Sequence, residues 1–83
     1  MSEQTVLEEI EFEANRATKM HGEFASLHEA YAVLLEELDE VWEIVRQKRK
    51  NRSAEELRQE FIQIAAMALK SINSMDKFVG GSV

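Results

Sequence analysis

Residues Leu34 to Val45 read LLEELDEVWEIV, and five of these twelve residues are acids: Glu36, Glu37, Asp39, Glu40 and Glu43. Like charges three and four positions apart on a helix repel, so this crowding has a cost that something must offset. A further acid, Glu60, stands with Gln63 in the otherwise apolar run EFIQIAAMAL. Carboxylates gathered in apolar surroundings suit one chemistry well. A hard cation such as Mg²⁺ takes carboxylate oxygens and keeps several waters, which the phosphates of a substrate can replace.

The elements that carry these residues follow from hydrophobic spacing. On a helical wheel of about 100° per residue, Tyr31, Leu34, Leu35, Leu38, Val41, Trp42 and Val45 form one broad apolar face of the second helix. Val33 and Ile44 mark a second stripe, and Glu37 and Glu40 lie between them on it. Glu36, Asp39 and Glu43 point further round, towards solvent. In the next helix Leu57, Phe61, Ile64, Ala65, Ala68 and Ile72 form the main face, with Glu60, Gln63 and Met67 on an adjoining stripe. A buried unpaired carboxylate is costly, and a cation between the two stripes would remove that cost. The plainer alternative is a surface helix with incidental aliphatics, and a Gln63 satisfied by hydrogen bonds in a helical core.

Three helices are predicted, over about residues 3–20, 26–50 and 53–74. Val6, Leu7, Ile10, Ala14, Ala17 and Met20 recur at helical spacing, and Gly22 can take the left-handed conformation that ends a helix. SLHE from Ser26 and SAEE from Ser53 are capping boxes, with Glu29 and Glu56 in the return positions. FVGGSV, residues 78–83, reads as a frayed tail. Arg46, Lys48, Arg49, Lys50 and Arg52 make a basic loop, read as a solvated helix end in preference to an anion contact. His21 and His28 read as surface residues.

The 83 residues contain no Cys and no Pro, which excludes disulfides and Cys-type zinc sites and favours helix. A net charge of −6 argues against nucleic acid as the main partner. No apolar run is long enough to span a membrane, and the first residues lack the pattern of a signal peptide. The reading is one all-α domain over residues 1–83, soluble and cytoplasmic. Three helices in so short a chain cannot cover a second helix that is apolar on two sides. The expected state is therefore a homo-oligomer, a dimer or a dimer of dimers, that completes a four-helix-bundle-like core.

Glu36, Glu37 and Glu40 within EELDE resemble the E-E-x-x-E motif of MazG-like proteins, the all-α nucleoside triphosphate pyrophosphohydrolases. EFIQ, with Glu60 first, sits where that family has E-x-x-D on the following helix. The resemblance covers roughly Ser26 to Ser74. It implies Mg²⁺, or Mn²⁺, held by Glu37, Glu40, Glu60 and the residue at position 63, with Glu36 as an outer ligand or proton acceptor. It implies hydrolysis of a nucleoside triphosphate to a monophosphate and pyrophosphate. Gln63 departs from the family's Asp. It offers one neutral oxygen and no charge, so the metal would be held less tightly, unless Glu56, one turn before Glu60, substitutes. Lys70 is a candidate phosphate contact. The alternative is a non-catalytic helical oligomerisation or interaction protein that keeps the MazG-like fold.

Overall fold

In the computed structural model, which describes residues 3–47 and 53–75, the chain forms three helices and, among the described residues, no strand. They are α1 (Glu3–His21), α2 (Leu27–Val45) and α3 (Ala54–Asn73). The tail at 78–83 and the basic residues Lys48–Arg52 lie outside the described residues. Among the described residues no helix is long and apolar enough to cross a membrane.

The helix ends are set by the expected chemistry. Gly22, at φ 75°, receives α1, and its N–H bonds back to the Thr18 carbonyl at 2.7 Å. A side chain at that φ is sterically strained, which is why glycine stands there. Ser26 and Ser53 occupy the N-cap positions of α2 and α3, their hydroxyls accepting from the backbone N–H groups of Glu29 and Glu56. The return arm of the first box is displaced by one residue: Glu29 Oε1 accepts from the N–H of Ala25 rather than Ser26, at 2.7 Å.

α3 is the shared strut. It packs along both α1 and α2, whereas α1 and α2 have little direct contact. The core gathers where α1 turns into α2: Ala14, Ala17, Phe24, Ala30, Ala66 and Met67 are buried together, with Ile10, Val33, Leu34 and Leu69 packed against them. Four of these six are alanines. Small side chains let helices approach closely, but each alanine removes little apolar area from water.

Hydrophobic spacing leaves open which apolar stripe faces inward. The broad face of α2 is only partly covered, with Leu34 packed against the core. Tyr31 and Trp42 are 67% and 59% exposed, and Leu35 and Leu38 are also exposed. The stripe with Ala30, Val33, Glu37 and Ile44 turns inward instead. In α3, Phe61 and Ile72 of the expected main face are exposed, while Ile62, Ala66 and Met67 are buried. Hydrophobic periodicity locates stripes; which stripe meets the neighbouring helix is decided by how closely the backbones can approach.

Candidate metal centre

The inward turn of α2 carries Glu37 and Glu40 towards α3, and α3 presents Glu60 from its first half. One oxygen from each of these three carboxylates lies within 4.8 Å of the others. Two oxygens on opposite sides of an octahedral Mg²⁺ stand about 4.2 Å apart, so small side-chain adjustments would close the three around one ion. Glu37 and Glu60 are half-buried and Glu40 is exposed. The group therefore has a covered side in the α2–α3 seam and an open side facing solvent.

Two oxygens in the seam, Glu37 Oε2 and Glu60 Oε2, are buried without a hydrogen-bond partner. A buried acceptor left unmade costs stability, and a cation is one partner that would satisfy both. The electrostatics agree. Burial pushes the Glu37 carboxyl above its ordinary value, and the neighbouring charges of Glu40 and Glu36 add to that; hydrogen bonding with Glu60 offsets part of it. Glu40 is also raised, first by hydrogen bonding with Glu60, then by desolvation and by the charge of Glu60. Carboxyls that resist losing their protons together are what a cluster lacking a counter-charge produces. The donor set and the orphaned oxygens fit a divalent cation.

The other expected site residues fall elsewhere. Glu36 is exposed and contributes no oxygen to the three-carboxylate group; it acts on Glu37 through its charge. Glu56 is exposed in the first turn of α3. The amide nitrogen of Gln63 donates to Glu13 Oε2 of α1 at 2.7 Å, and Glu13 also receives Arg16 at 2.9 Å. Both contacts hold the Glu13 carboxyl below its ordinary value, Arg16 more than Gln63. Gln63 thus does what an Asp could not: it supplies a donor to an acid on the neighbouring helix. Sequence reasoning missed Glu13, since it sits 50 residues from its partner and belongs to no motif.

Lys70 is neither solvent-facing nor beside the acids. It is 4% exposed, with its ammonium 4.2 Å from the centroid of the Phe24 ring. It lines a cavity of about 170 Å³ with His21, Glu23 and Glu29. Ten residues of α3 separate it from Glu60, about 15 Å at the helical rise. Trp42 is exposed on the outer face of α2, away from the stripe that holds Glu37. Compared with family models, curated proteins and solved structures, the chain matches none of them.

Proposed function

We propose that the chain is a Mg²⁺-dependent nucleotide pyrophosphohydrolase of the MazG-like kind, working as a homo-oligomer and converting a nucleoside triphosphate to a monophosphate and pyrophosphate. The observation that carries this reading is the convergence of Glu37, Glu40 and Glu60 from two helices, with two of their oxygens buried and unpartnered. These residues would hold the ion, and its open side would admit phosphate oxygens. A bound divalent cation supplies charge neutralisation at the phosphates and a more acidic water. Glu36, exposed one residue before Glu37, is the free carboxylate nearest in sequence to accept a proton. The reading borrows its substrate class from the sequence resemblance.

The test is pyrophosphate release from a panel of nucleoside triphosphates, with and without Mg²⁺, for the native chain and for Glu60→Gln. Release that needs Mg²⁺ and is lost in the variant is the expected result. A variant as active as the native chain removes the site.

One observation favours a second reading, a helical self-association protein without catalysis. Gln63 is neutral and engaged with Glu13, so the position at which the resembled family supplies a fourth carboxylate supplies a structural contact. Under that reading Mg²⁺ raises the melting temperature while no nucleotide yields pyrophosphate.

A further inference from the structure

Among the described residues, half of the buried apolar side chains are alanines, while many large apolar side chains stand outside. Leu27, Tyr31, Leu35, Leu38, Trp42 and Val45 of α2 are all exposed. The last five follow one another at spacings of four, three, four and three residues. That alternation is the 3.5-residue period of a coiled-coil seam, which another helix covers by inserting its own side chains. α1 does not cover it, having little contact with α2, and α3 lies against the other stripe. We infer that this seam is covered by the same seam of a second copy, with the two α2 helices antiparallel and the two-fold axis passing close to Leu38.

Three features of the seam single out a second copy. First, it is nearly symmetric about Leu38, with Tyr31 and Val45 each seven residues away and Leu35 and Trp42 three and four away. A two-fold interface requires that if residue i meets residue j, then j meets i. Antiparallel pairing about Leu38 sets Tyr31 across from the partner's Val45, and Trp42 across from the partner's Leu35. Large faces small on either side of the Leu38 pair at the axis, which is how helical layers fill space without voids. Secondly, from the exposed fractions, the seam with Leu27 offers on the order of 600 Å² of apolar surface, close to the roughly 800 Å² each partner contributes to a standard interface. Thirdly, the two-fold axis lies in the interface, so it places both α3 helices on the same side of the α2 pair. The outward Phe61 and Ile72 of α3 then border the same assembly, and a layer that is thin by itself gains a second layer.

The pairing has an electrostatic signature. Each chain carries a net charge of −6, and Asp39 flanks the seam one residue from the proposed axis. Two such copies repel, so added salt should strengthen association by screening. A basic partner seated on the same seam would be weakened by salt.

The inference rests on the self-association proposed above and is independent of the metal chemistry. Sedimentation equilibrium of the full chain at micromolar concentration should give twice 9.6 kDa, with more dimer at higher salt. The chain has no cysteine, so Leu38→Cys introduces a single thiol next to its own symmetry mate. Effective concentrations at such a contact are millimolar; oxidation should therefore link Leu38→Cys dimers about 100-fold or more faster than Phe12→Cys, placed on exposed α1. A folded native monomer at micromolar concentration overturns both the self-association and this surface. A dimer in which Leu38→Cys links no faster than Phe12→Cys overturns this surface alone. Because both thiol variants replace exposed residues, the comparison does not depend on a variant that fails to fold.

Discussion

Gln63→Asp restores the acid that the resembled motif carries at this position, and it should destabilise the protein. In the native chain the Gln63 amide donates to Glu13 Oε2 at 2.7 Å, in a partly buried contact. A hydrogen bond to a charged group is worth about 1.5–3 kcal/mol. Aspartate removes the donor and sets a second negative charge beside the first. Two unit charges about 5 Å apart at an effective dielectric of about 20 repel by roughly 3 kcal/mol. The Arg16 guanidinium on Glu13 offsets part of that, and protonation of either acid would cap it. A net loss of about 2–4 kcal/mol follows. In a domain of this size that lowers the melting temperature by at least roughly 8 °C. Urea and thermal unfolding of the metal-free protein measure it, with Gln63→Leu as the control that loses the bond without adding charge. A melting temperature for Gln63→Asp equal to that of the native chain would refute the role assigned to the Gln63–Glu13 contact. A large gain in Mg²⁺ affinity would show that position 63 turns to the metal instead.

Glu37→Gln should stabilise the metal-free protein by roughly 0.5–1.5 kcal/mol, since an amide can donate to the neighbouring acids, while abolishing any gain from Mg²⁺; denaturation with and without the ion reads both signs. Glu37 and Glu40 have raised values in the folded state, so the folded chain binds more protons there and stability falls as pH climbs from about 4.5 through those values. Glu9 and Glu13, lowered in the fold, contribute stability above about 4.5 that is lost as pH falls through their folded values. Melting temperatures from pH 3 to 8 should therefore rise and then decline, and Mg²⁺ should reverse the decline; a profile with no decline above about pH 4.5 counts against the cluster. Gly22→Ala should cost about 1 kcal/mol from backbone strain alone, because a Cβ there meets nothing within 4 Å; an unchanged unfolding midpoint would contradict the left-handed turn.

The three helices, their serine N-caps and the Gly22 turn were legible because each depends on residues within one turn of one another, whereas the end of α2 was not: the spacing carried it to about residue 50, and it stops at Val45. The carboxylate group was legible for a related reason. Glu37 and Glu40 fall on one stripe of α2, Glu60 falls on one stripe of α3, and two adjacent stripes of an antiparallel pair must meet. The orientation of α2 was not legible in the same way. Its two apolar stripes compete, and size alone favours the one with Leu35, Leu38 and Trp42. The chain buries the stripe with Ala30 instead, where Ala30 shares a core with Ala66 and small side chains permit an approach that Leu or Trp would block. Lys70 was misplaced because a long side chain can bury its stem and lay its ammonium on an aromatic ring. The ring belongs to Phe24, in the α1–α2 turn, which no periodic pattern marks.

These placements tie the acids to the outer seam. Glu37 and Glu40 sit on the face of α2 that meets α3, so their mutual repulsion acts directly on the packing of α2 against α3. That packing includes small residues, Ala30 and Ala66 among them. Any ligand that binds only the closed arrangement of the two helices stabilises it by mass action. A cation among Glu37, Glu40 and Glu60 is one such ligand, and a second copy that fixes α2 from outside is another. Two ligands that favour the same arrangement must favour each other, by the same factor in each direction. Mg²⁺ should therefore tighten the dimer, and the dimer should bind Mg²⁺ more tightly than the monomer. Dimer dissociation measured by sedimentation, in millimolar Mg²⁺ and in chelator at matched ionic strength, tests this; equal dissociation constants would show that the acid cluster and the seam are energetically separate.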